Sequence, residues 1–136
     1  QAGHDVLDLS GEFSRQILEA EVSCQRYLMT GDRKSLENYF QVLENGRKAG
    51  KKLVRVAEAI YFGPVTLLPA VKESNKQVDS WVESFSGPAI ALKQAGESRK
   101  LSAMVRKAFS SAVSFILRDA IENLRTHTIA ALKQNA

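Results

Sequence analysis

Two histidines, one cysteine and scattered carboxylates are the side chains through which this 136-residue sequence would do chemistry. His4 and His127 stand near opposite ends of the chain. In a bundle with an even number of long helices they would meet at one end, where a metal bridged with Asp5 or Glu122 is one reading and two exposed histidines is the simpler one. No Glu-x-x-His pair of the di-iron kind and no Cys/His ligand cluster occurs, so no metal, cofactor or catalytic residue is expected. Glu19 and Glu21 point to different helix faces and form no acid/base pair. Gly46 and Gly50 lie inside a helical pattern, not between a strand and a helix, so they build no phosphate cradle.

Binding fits the residues better than catalysis. Tyr27, Tyr39, Trp81 and Glu21 have the make-up of a small-molecule pocket, aromatics with a few polar groups. Core packing is the simpler reading of the same residues, with Tyr27 and Trp81 on packed stripes and Glu21 paired to Arg26 or Gln25. Cys24 excludes an intrachain disulfide by being alone. It falls on an apolar stripe, where a thiol behaves as a small hydrophobe.

The elements that must hold these groups follow from periodicity. Val6, Leu9, Phe13, Ile17, Ala20, Cys24 and Tyr27 recur at steps of three and four, one apolar face of a first helix. Gly31 supplies the positive-φ residue past its end, and Asp32 caps the next helix. So short a link sets the two helices antiparallel. A second helix runs from about Arg33 to Tyr61, with Leu36, Phe40, Leu43, Arg47 or Gly46, Gly50, Leu53, Ala57 and Ile60 inward. Gly46 and Gly50 each cost a helix about 1 kcal/mol relative to Ala, a cost offset by close approach of a neighbouring helix or by room for a ligand.

Phe62, Gly63 and Pro64 break that helix. A third starts near Thr66, since Pro69 is tolerated only in a first turn. Leu68, Val71, Asn75, Val78, Val82 and Phe85 are its expected buried side, with Trp81 beside them. Pro88 predicts a kink, and Gly96 the helix end near Ala95. Ser98 is the expected N-cap of a fourth helix to about Lys133, with Leu101, Val105, Ala108, Ala112, Phe115, Asp119 or Ala120, and Leu124 inward. The fold class expected is all-α, an antiparallel up-down-up-down four-helix bundle forming a single domain over residues 1–136, with a kink in helix 3 near Pro88. Both termini would then emerge at one end. The run AFSSAVSFIL, residues 108–117, is uncharged on every face. It predicts burial twice over, in its own core and against a second copy through Phe109, Val113 and Ile116.

Glu19-Ala20-Glu21, Tyr27-Leu28-Met29-Thr30-Gly31-Asp32, and then Leu36 and Tyr39 carry a resemblance to the CHASE-type extracellular sensor domains, specifically the third CHASE class. Trp81, Pro88 and Ala89-Ile90-Ala91 resemble the later part of the same pattern. Where that family has Gln-Arg-Gly, this chain has Cys24-Gln25-Arg26, which moves the arginine one place and onto another helix face. The resemblance implies an extracytoplasmic, periplasmic sensory domain of a membrane-anchored receptor at the bacterial inner membrane, most often a sensor histidine kinase of a two-component system. It further implies a non-catalytic domain, a homodimer, and a small-molecule or protein signal passed on as a helix shift.

Composition is ordinary for a globular domain, 44% hydrophobic and 25% charged. A formal charge of +4 leaves room for an acidic partner. Only Arg47, Lys48, Lys51, Lys52 and Arg55 cluster, and they lack the aromatics that would stack bases, so nucleic acid is not expected. They support the alternative reading, a soluble helical-bundle interaction module that docks an acidic protein. The most apolar stretch, AIYFGPVTLLPAV, is broken by Gly63, Pro64 and Pro69 and falls short of the roughly 20 residues of a membrane span. The start without Met, and a helical pattern running close to both ends, are what a segment of a longer protein would show.

Overall fold

The computed structural model describes residues 2–59, 67–110 and 113–134, with the side chains of 2–5, 109–116 and 134 left out of the description. Among the described residues every element is helical: α1 (Ala2–Thr30), α2 (Arg33–Ala59), α3 (Leu67–Trp81), a π-helical turn (Val82–Ser86), α4 (Gly87–Gln94), α5 (Ser98–Ser110) and α6 (Val113–Gln134). The all-α class holds, with the third expected helix divided by a π turn and the fourth described as two segments. The breaker Phe62-Gly63-Pro64 lies outside the described residues.

The two tight links are built as their residue types dictate. Gly31 takes φ +71° and its N–H donates to the Tyr27 carbonyl at 2.8 Å. Asp32 then caps α2, its carboxylate accepting from the Lys34 N–H at 3.2 Å and the Ser35 hydroxyl at 3.0 Å. At the other link Gly96 takes φ +73°, while the Glu97 N–H reaches the Leu92 carbonyl and the Gly96 N–H the Lys93 carbonyl. This is a Schellman ending. Ser98 is not the N-cap there: it is the first helical residue, and the Glu97 carbonyl accepts from Leu101 at 3.0 Å.

Antiparallel packing is visible in the contacts themselves. Asn38 donates to Ser23 at 2.7 Å, a Cβ on Gly46 would sit 2.5 Å from Ile17 Cδ1, and one on Gly50 would sit 3.2 Å from Phe13 Cε1. As numbers rise along α2 they fall along α1. The same holds between α2 and the third stretch, through Tyr39 with Ser86, Arg47 with Asp79, and Gly50 with Asn75. Gly46 and Gly50 therefore serve close helix approach. The Asn75 amide donates to the Gly50 carbonyl at 3.1 Å, in the space a side chain would fill.

α6 closes the circle by packing on both α3 and α1, and Ser74 donates to the Ala120 carbonyl at 3.1 Å. The core runs through Phe13, Ile17, Tyr39, Leu53, Leu67, Val78, Leu117 and Leu124. Two expected stripes are corrected. Phe40 is 55% exposed while Tyr39 is buried, because Ser35, Tyr39, Val42, Gly46 and Ala49 share the inner face and Phe40 lies one residue past it. In α3 the buried set is Leu67, Ala70, Val71, Ser74, Val78 and Trp81, with Leu68, Asn75, Val82 and Phe85 at its edge.

Where the sequence predicts a kink near Pro88, the structure has the π turn just ahead of it. The Gly87 N–H bonds the Val82 carbonyl, five residues back. A turn with one extra residue resets the helix phase. Ser86 and Ile90 thereby return to the buried face that Val78 and Trp81 occupy, and Ala89 remains on it.

Candidate functional site

Three segments with different reasons to be there leave a gap between them. The C-terminal half of α1 contributes Glu21, Cys24, Gln25, Leu28 and Met29, held in register by the turn at Gly31. Trp81 and Phe85 come from the junction of α3 with the π turn, and Leu101, Ser102, Val105, Arg106 and Ala108 from α5. The cavity they enclose measures about 460 Å³ and is lined mainly by apolar groups, with Met29, 82% exposed, at its edge. That volume lies in the range of about 300–1,000 Å³ typical of small-molecule sites.

Glu21 is the buried charge of this region. Its side chain is 4% exposed, and its Oε1 accepts from Arg118, from Nη2 at 3.1 Å and from Nε at 3.4 Å. The partner is thus Arg118, 97 residues away in sequence, in place of the expected Arg26 or Gln25. One helical step along, the Cys24 thiol is fully buried. Burial, with a smaller push from the Glu21 carboxylate, raises its pKa to about 12. A thiol held protonated in this way is neither a nucleophile nor a metal ligand at neutral pH.

Of the four residues read from the sequence as a binding set, the cavity brings together Glu21 and Trp81. Tyr39 stands behind Trp81, ring centroids 6.2 Å apart in an edge-on contact, and its hydroxyl shares a 2.6 Å hydrogen bond with Ser86. Burial holds the Tyr39 hydroxyl above its ordinary pKa. Tyr39 therefore fixes the wall without lining the cavity. Tyr27 is buried in the main core and is not a lining residue either. Sequence reasoning missed Arg118, since no local pattern marks an ion pair between distant helices. It also missed that α5's inward stripe, Leu101, Val105 and Ala108, forms a wall.

Elsewhere the chemistry is sparse. Among the described residues no group of three or more His, Cys, Asp or Glu is placed to hold a metal ion, and His127 Nδ1 lies 2.8 Å from the Asn123 carbonyl of its own helix. In the basic cluster, Arg47 pairs with Asp79 at 3.1 Å and Lys48 with Glu44 at 3.4 Å, while Lys52 and Arg55 border a second hollow with Asp8, Leu9 and Val56. The side chains of Phe109, Val113 and Ile116, expected at a dimer interface, lie outside the described residues. None of the described helices is long and apolar enough to cross a membrane.

A family model described as the CHASE3 domain matches residues 2–136. It represents sensory, non-catalytic domains usually found in signalling receptors. No curated protein and no solved structure matches the chain.

Proposed function

We propose, for a chain that belongs to the CHASE3 domain family, that it is the extracytoplasmic sensory part of a membrane-bound receptor on the periplasmic side of a bacterial inner membrane, with a histidine kinase as the output. The family match over residues 2–136 is the observation that carries this reading. The arrangement of helices supports it. Read as an up-down-up-down bundle, the four long stretches bring both termini to one end, where two membrane spans would join them.

Two copies pair through the uncharged run 108–117, and the signal travels as a displacement of the first and fourth long stretches across that interface. Shifts of about 1–2 Å at subunit interfaces suffice for such switches. Carrying the equilibrium from 1:99 to 99:1 takes about 5.5 kcal/mol of differential binding. The alternative, a soluble module docking an acidic protein on Arg47, Lys48, Lys51, Lys52 and Arg55, is the weaker reading because two of those five charges already have acidic partners within the chain.

The test is to read the parent coding sequence for about 40 residues on either side. Apolar runs of about 20 residues on both flanks, with a kinase module beyond the second, are the expected result. Polar flanks on both sides would overturn the receptor reading and promote the docking module.

A further inference from the structure

The cavity between α1, the π turn and α5 has a chemistry of its own that narrows what fits it. Its walls are aromatic and aliphatic, with Trp81 and Phe85 on one side and Leu101 and Val105 on another. Its buried polar residue is Glu21. A carboxylate offers about four acceptor positions on two oxygens, yet both guanidinium contacts from Arg118 fall on Oε1, and among the described residues no hydrogen bond takes Oε2. No buried side-chain oxygen among the described residues lacks a partner, so the acceptor capacity of Oε2 is open to the cavity.

Charge decides the rest. The negative charge of Glu21 is already matched by Arg118, and Arg106 adds a second guanidinium at the rim. A cationic ligand would meet Arg106 and a carboxylate whose charge Arg118 already balances, and so pays for desolvation without a fresh counter-charge. An anionic one finds its counter-charge in Arg106 at the exposed rim, and would bring a second negative charge up to Glu21 in the apolar part. A neutral molecule that donates one hydrogen bond meets neither penalty.

We propose that this cavity binds a neutral small molecule with an aromatic or alicyclic body and one hydrogen-bond donor, the donor on Glu21 and the body between Trp81, Phe85, Leu101 and Val105. Such binding would be the input of the sensory reading above, on which it rests for its purpose. Because Trp81 immediately precedes the π turn and Phe85 lies within it, a bound ring would bear directly on the segment where the third stretch changes helix type.

Calorimetric titration of the purified chain at neutral pH with three probes of one shape tests this: 1-naphthol, 1-methoxynaphthalene and 1-naphthoate. The expected order is naphthol first, with the methyl ether weaker by about tenfold or more, the size of a lost hydrogen bond to a charged group, and the carboxylate weaker still. Val105→Trp should abolish naphthol binding by filling the space, and Ser102→Trp should do the same from the rim if the first variant does not fold. Equal binding of the ether would overturn the role given to Glu21, and tighter binding of naphthoate would transfer selection to the arginines. Undiminished naphthol binding in a folded tryptophan variant, or none by the parent chain up to millimolar probe, removes the cavity as a site. None of these results depends on the flanking sequence, so the site and the receptor reading stand or fall separately.

Discussion

Glycine shows at the residue scale how the same atom costs or contributes according to its surroundings. Gly11 faces open space, with nothing within 4 Å of a Cβ, while a Cβ on Gly50 would meet Asn75, with Cγ at 3.0 Å, and the Phe13 ring at 3.2 Å. Ala is favoured over Gly in a helix by about 1 kcal/mol, so Gly11→Ala should raise stability by up to about that amount. Gly50→Ala gains the same propensity but overpacks two helix contacts, at about 1–3 kcal/mol, and strains the Asn75 bond. A net loss on the order of 1–2 kcal/mol is expected. Urea midpoints of the two variants should move in opposite directions. Cys24 makes a second case. Its thiol is raised from an ordinary value of 9.0 to about 12. Between those values the unfolded chain releases the proton and the folded chain keeps it, so stability falls as pH rises through that window. The slope from this group approaches about 1.4 kcal/mol per pH unit. Cys24→Ala should cost about 1 kcal/mol at neutral pH for lost packing, yet show a shallower decline from pH 9 upward. Parallel decline in both proteins would mean the thiol is not held protonated.

At the scale of elements, the π turn is the feature that propensity rules do not reach. In an uninterrupted α-helix, about 100° per residue would carry Ser86 and Ile90 away from the face of Val78 and Trp81. One surplus residue restores the phase. A Cβ on Gly87 would lie 2.9 Å from the Val82 carbonyl, so the turn also requires the glycine that follows it. Deleting the exposed Ser84 together with Pro88→Ala should therefore convert the stretch to plain α-helix with its buried face intact. The proline is changed with it because, tolerated in the first turn after the π segment, it would cost about 3 kcal/mol inside a plain α-helix. The double change should keep the helical circular dichroism and raise the melting temperature, whereas deleting Lys76, where no surplus exists, should lower it sharply. Sequence reading anticipated a disturbance at Pro88 but not its form, because a proline says where a donor is missing and not how the backbone compensates. The helix faces of Phe13, Ile17, Cys24, Leu53 and Leu124 were legible because each follows from spacing alone, and Gly31 and Gly96 because few residues accept positive φ. Phe40 was misplaced because it and Tyr39 are adjacent aromatics, and only the neighbouring helices decide which one turns inward. Two of the four residues read as a pocket, Glu21 and Trp81, line the cavity. Glu21 and Trp81 stand on faces that meet, while Tyr27 and Tyr39 were judged by residue type, which does not distinguish a wall from the core behind it.

For the whole molecule, buried and half-buried polar contacts pin neighbouring helices together: Asn38 to Ser23, Asn75 to Gly50, Tyr39 to Ser86, Ser74 to Ala120, and Arg118 to Glu21. Each satisfies buried polar groups between two particular helices, and slipping a helix by one residue would break it at a cost of about 1–3 kcal/mol. Such a set resists gradual deformation and favours discrete arrangements, which is what transmission over tens of ångströms requires. If two copies pair around a twofold axis parallel to their helices, a residue near that axis faces its own counterpart, as an isologous interface demands. A single cysteine at Val113 or Ile116 in a Cys24→Ser background should then form a disulfide-linked dimer under mild oxidation. A cysteine at the exposed Glu44, on α2, should not. Equal crosslinking at all three positions would indicate random collision, and crosslinking confined to Glu44→Cys would move the interface to the second helix. The expected outcome couples to the cavity: Ala108 lines it and opens the run 108–117, so a probe bound there should change the crosslinking rate at Val113 more than at Ile116, which lies farther along the helix.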